Sequence, residues 1–213
     1  MNGEQEELEA LKKWWRDNGR AVVIGLVLGL GGVFAWTTWN ARVEAAAEQL
    51  SVLYEGVVNS AASNDNDTAL QQAELIIAEN ADSEYAALAG LVGAKSALAL
   101  GRSDDAERLL AWVAENAAID ELRDVAHIRS AQLLLAGDRY DAALEALEKI
   151  DAAPFAAAVD ELRGDVLTRK GDSQGAARAY RAALAAGGST TGARNRLRIK
   201  LDSLGVDDAP QAQ

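Results

Sequence analysis

"RDNGRAVVIGLVLGLGGVFAWTTWNAR", Arg16 to Arg42, holds no ionisable side chain between its second and third arginines, Arg20 and Arg42, although the 213-residue chain carries a formal charge of -12. The stretch is therefore either the core helix of a globular domain or a segment that leaves water for a bilayer. As a helix, the residues from Ala21 to Trp39 span about 28 Å, close to the thickness of a bilayer hydrocarbon core. Trp14 and Trp15 precede the run and Trp36 and Trp39 close it, which puts amphipathic rings at both expected interfaces. A buried soluble helix needs no such rings at both ends. A cleaved secretory signal is the other alternative, with Ala45 and Ala47 in an A-x-A arrangement, but signal cores run only about 7–15 residues and lack an aromatic belt. The stretch reads as a retained anchor in a lipid bilayer. Lys12, Lys13, Arg16 and Arg20 stand on its N-terminal side against Arg42 on the other, so the positive-inside rule places the N-terminus in the cytoplasm. Within the span, Gly25, Gly29 and Gly32 share nearly one face, where small residues let a second membrane helix approach closely.

Outward from the anchor the chain changes character. Residues 41–213 hold 17 Lys and Arg against 28 Asp and Glu, so nearly all the acidity belongs to a soluble, exported part. That balance repels phosphate backbones and argues against nucleic acid as a partner. Two prolines, 5% aromatics and abundant alanine favour helices throughout. With no cysteine, disulfides, thiolate metal sites and cysteine nucleophiles are excluded.

The soluble part repeats itself. "GRSDDA" at 101–106, "GDRYDA" at 137–142 and "GDSQGA" at 171–176 each set Gly and Ala five apart, with 36 and 34 residues between successive glycines. Each Gly is expected to end one helix in the left-handed conformation, and each Ala (Ala106, Ala142, Ala176) to permit a close helix crossing. A weaker unit precedes them, Val43 to Ala61 with a turn at "SNDNDT", so four helical pairs are expected. "TTGARNRLRIKLDSLG" reads as a closing helix with Leu197, Leu201 and Leu204 inward and Arg194, Arg196, Arg198 and Lys200 as a basic cluster. The expected organisation is a cytoplasmic segment at 1–20, a transmembrane helix at 21–40, an all-α repeat domain at 41–204 and a tail at 205–213.

The G-x-x-x-x-A turns resemble the tetratricopeptide repeat, with Tyr180 four residues after Ala176 and Pro154 twelve after Ala142; Leu110 and Ala146 depart from it where Tyr180's counterparts should be aromatic. The whole order of parts is similar to the YfgM-type family of ancillary SecYEG translocon subunits: an acidic then basic N-terminus with "WW", one Gly-rich span, a closing Trp, then Ala-rich repeats. This resemblance implies a tetratricopeptide-like helical solenoid on a single-pass inner-membrane anchor, with the repeats in the periplasm. It also implies partners: the SecYEG translocon, a membrane-anchored periplasmic chaperone of the prolyl-isomerase type, and a cytoplasmic regulator at the N-terminus. The implied role is to pass translocated proteins to periplasmic chaperones. A membrane-anchored scaffold for envelope or cell-division complexes is the alternative function.

Solenoids of this class bind with the concave side, lined by the first helix of each pair. Carrying the family's concave positions over through the Ala of each repeat selects Lys95, Asp124, His127, Glu161, Asp165 and Arg169, with Tyr54, Leu88 and Leu91 as apolar neighbours. Catalysis is not expected. His127 is the only histidine and cannot head a usual metal cluster, the carboxylates are scattered, and "GLVLGLGG" lacks the Lys-Ser/Thr of a phosphate loop. No cofactor or metal is predicted.

Overall fold

The computed structural model describes residues 2–150, 153–186 and 190–206. All of its regular structure is helical: α1 (Asn2–Ala62), α2 (Asn66–Glu79), α3 (Glu84–Ala99), α4 (Ser103–Asn116), α5 (Asp120–Ala136), α6 (Tyr140–Glu148), α7 (Ala156–Lys170), α8 (Ser173–Ala185) and α9 (Thr191–Ser203), with one 3-10 turn at Ala153–Phe155. The chain divides into two compact units, Met1–Leu50 and Ser51–Gln213.

In the first unit α1 is long and apolar enough to cross a membrane, and none of its apolar window is buried by protein. Trp36 and Trp39 are exposed, and a Cβ placed on Gly25, Gly29 or Gly32 would meet nothing. Hydroxyls within the span are satisfied locally: Thr37 and Thr38 both donate to the Phe34 carbonyl, at 3.0 and 2.8 Å. The helix continues past residue 40 to Ala62.

The second unit is built from helices packed on their chain neighbours, α2 on α3 through to α8 on α9, with α3, α5 and α7 also adjacent. Its repeat is clearest in the turns. Asn64, Gly101, Asp138 and Gly171 all have positive φ, between 57° and 88°. After each of them the next amide donates back to the last helical turn: Asp65 to Ser60, Arg102 to Ala97, Arg139 to Leu134 and Asp172 to Leu167, at 2.8–2.9 Å. This is the Schellman closure, and it satisfies carbonyls that the ending helix would leave without partners.

The middle turn differs from the sequence expectation by one residue. Gly137 keeps an ordinary φ of -92°, and Asp138 takes the left-handed position instead. A short polar side chain tolerates that conformation, so glycine is not obligatory. The consequence is that Ala143, not Ala142, is the counterpart of Ala69, Ala106 and Ala176: these four are fully buried, whereas Ala142 is exposed. Likewise Leu147, not Ala146, is equivalent to Leu110 and Tyr180.

With that spacing, the pair crossings follow one rule. The first-helix residue and its second-helix partner are Val57 with Ala73, Ala94 with Leu110, Ala131 with Leu147, and Gly164 with Tyr180, each pair buried in its own repeat's core. As one residue grows its partner shrinks, as close packing requires where two helices approach. At the last crossing a Cβ on Gly164 would clash with the edge of the Tyr180 ring, so glycine is what lets the tyrosine sit there without a shift.

The closing helix α9 behaves as expected from its leucines. Leu197 is 1% exposed and packs with Ala176, Tyr180 and Ala183, with Leu201 and Leu204 at its margin. Thr190 caps it by accepting from the Ala193 amide at 3.4 Å. Of the expected tail, residues 207–213 lie outside the described residues.

Candidate functional site

Equivalent positions of the first helices define a face along the repeats. Ten residues before each left-handed turn residue stand Tyr54, Leu91, Ile128 and Glu161; six before it stand Val58, Lys95, Gln132 and Asp165. Tyr54, Leu91 and Ile128 are half-buried, while Val58, Lys95 and Gln132 are exposed. Tyr54 is held by the Tyr85 ring, centroids 5.8 Å apart and tilted 46°, and Leu88 lies one helical turn before Leu91. The half-buried row is thus apolar over its first three repeats, edged by Val58, Lys95 and Gln132.

Its fourth repeat is already occupied. Glu161 accepts from Arg196 Nε and Nη2, both at 2.8 Å, and from Lys200 Nζ at 2.9 Å. Lys200 also donates to both oxygens of Asp165, at 2.6 and 2.8 Å, and the Tyr180 hydroxyl donates to Asp165 at 2.8 Å. Lys200 Nζ lies 5.6 Å from the Tyr180 ring centre. The Arg196 hydrogen bonds hold the Glu161 carboxyl down to about 2, while burial pushes the Tyr180 hydroxyl up to about 12. Glu161 and Asp165, expected from the sequence on the binding face, make the contacts that dock α9 onto α7. Two of the four basic residues of α9 do this, and Arg194 and Arg198 stay exposed. Arg169 is exposed at the end of α7, 3.8 Å from Asp138.

Asp124 and His127 fall out of the face. With Asp138 as the turn residue, the α5 equivalents of Leu88, Leu91 and Lys95 are Val125, Ile128 and Gln132, and the sequence reading missed them because it aligned the repeat on Gly137. Asp124 and His127 line a separate cavity of about 590 Å3 with Asp120, Glu121, Arg123 and Lys149. Burial raises the Asp124 carboxyl and lowers the His127 imidazole. Among the described residues no group of three or more His, Cys, Asp or Glu is placed to hold a metal ion.

A family model for the tetratricopeptide repeat-like domain matches residues 12–206. The ancillary SecYEG translocon subunit of Escherichia coli K12 is 30% identical over 95% of this chain and 97% of its own length, and that of Neisseria gonorrhoeae is 30% identical over 94% and 97%. This chain belongs to that family. The ancillary subunit of Haemophilus influenzae is 26% identical over 94% of this chain. Among solved structures, MamA MSR-1 C2 superposes with a TM-score of 0.51 at 16% identity, covering 74% of this chain and 87% of that one; the likeness is one of fold. The family resemblance in the sequence, the tetratricopeptide-like fold and the candidate transmembrane helix therefore agree.

Proposed function

We propose that this chain is a non-catalytic ancillary subunit of the SecYEG translocon. In this reading residues 21–40 cross the inner membrane with the N-terminus in the cytoplasm, and the repeat domain from residue 41 lies in the periplasm. The family's name for its members supplies the partner, and the full-length match carries the reading. The open glycines Gly25, Gly29 and Gly32 are the surface offered to a translocon helix, since close packing drives association in lipid. The apolar first-helix face with Tyr54, Leu88 and Leu91, edged by Lys95, is the surface offered to emerging polypeptides on their way to a membrane-anchored prolyl-isomerase-like chaperone. A cytoplasmic regulator would meet the segment at 1–20.

Copurification in mild detergent tests both surfaces. Gly25→Leu with Gly29→Leu is expected to reduce recovery of translocon subunits while the protein remains membrane-inserted. Leu91→Lys is expected to reduce recovery of the chaperone and of translocating chains. Undiminished recovery in both variants, or recovery of envelope or division proteins in place of translocon subunits, would overturn the reading.

A further inference from the structure

The cavity beside Asp124 is not part of the first-helix face, and its chemistry is specific. It lies among Ala114 at the end of α4, the first two turns of α5, Lys149 after α6 and Pro154. Asp124 is 7% exposed, and its carboxylate makes no hydrogen bond or ion pair with another described residue. Such a group is costly to bury without a counter-charge. The cations of the wall are engaged elsewhere. Arg123 donates to the Ala117 carbonyl at 2.7 Å and to Asp120, and Lys149 pairs with Glu145 at 3.7 Å. Glu121, exposed at the rim, and Asp124, at the wall, are left with uncommitted carboxylates, and the half-buried His127 stands beside them.

We propose that this cavity is a binding pocket for a cationic side chain, lysine or arginine, presented by a polypeptide partner, with Asp124 as the buried anchor and Glu121 as the entry carboxylate. At about 590 Å3 the cavity is of a size that takes an organic group rather than a bare ion. Among the described residues, no three of its carboxylate and imidazole groups are placed to share a metal ion. Burial and the Lys149 charge lower the His127 imidazole, which favours its neutral form and so limits its repulsion of an incoming cation. The net acidity of residues 41–213 favours the approach of a basic segment.

His127 is the only histidine in the chain, so histidine-selective nitrogen labelling of the full-length protein in lipid nanodiscs yields one resonance pair inside the pocket. The probes are the peptides acetyl-Gly-Gly-Lys-Gly-Gly-amide and its norleucine counterpart, which keeps the stem and lacks the charge. A saturable shift of the imidazole signal with the lysine peptide only is expected. Asp124→Asn should weaken that response about tenfold or more, as loss of a buried charge partner does. Glu121→Gln, at an exposed position, provides a weaker loss in a protein whose fold is not at issue. Equal shifts with the norleucine peptide, no saturable shift with the lysine peptide, or a response that survives both substitutions would overturn the proposal. Translocon recovery is a separate readout, so this pocket and the translocon reading can fail independently.

Discussion

Ser96 shows how a single residue escapes a pattern reading. It sits in α3 with 0% exposure, and its hydroxyl has no hydrogen-bond partner among the described residues. In sequence it is one small residue among the alanines of "GAKSALA". Ser96→Ala is expected to stabilise the repeat domain by about 1–2 kcal/mol, because it removes an unsatisfied buried polar group at nearly constant volume; urea denaturation measures it. A second residue-scale test separates the two readings of the middle turn. Ala143→Leu should overpack the third crossing at roughly 1–3 kcal/mol, whereas Ala142→Leu, on an exposed site, should stay within about 0.5 kcal/mol. The reverse order would return the left-handed position to Gly137.

Between elements, the α7–α8 crossing and the α7–α9 dock carry the sharpest energetic content. Gly164→Ala should cost roughly 1–3 kcal/mol because its methyl group meets the Tyr180 ring. Adding Tyr180→Leu recreates the Ala–Leu pairing already present at Ala94–Leu110 and Ala131–Leu147, so the double variant should be less destabilised than the sum of the two single ones. A double-mutant cycle reads that coupling. At the α9 dock, the Glu161 carboxyl lies at about 2 in the folded protein against an ordinary 4.5. Being depressed, it contributes stability that is fully present above pH 4.5 and is lost as pH falls toward 2. The protection of α9 amides, taken relative to their intrinsic exchange rate at each pH, should therefore fall through that window in the native protein. Glu161→Gln should already show faster exchange at pH 7, and the difference between the two should shrink toward pH 2. Parallel exchange profiles would mean that Leu197 and its neighbours hold α9 alone.

For the whole molecule, topology is the property with the most consequences. A reporter active only in the periplasm is expected to work when fused after Gln213 and to fail before Met1, since four basic residues precede the apolar span and only Arg42 follows it closely. The opposite pattern would exchange the compartments of both units, and with them every proposed partner.

An apolar run of membrane length, flanked by tryptophans and asymmetric basic residues, is a one-dimensional signal, so the sequence by itself determined the candidate anchor. The helical class and the repeat are likewise local, because alanine content, turn residues and a period near 35 residues need no long-range contact to be seen. The leucine stripe of α9 was legible for the same reason. Tertiary structure alone decided which residue of "GDRYDA" turns left-handed, because Gly137 and Asp138 both tolerate turns and only the packing of Ala143 against its neighbours separates them. It also decided that Glu161 and Asp165 belong to a dock. Their partners Arg196 and Lys200 lie 35 residues away, and no local pattern distinguishes a carboxylate that awaits a partner protein from one already held by the next helix.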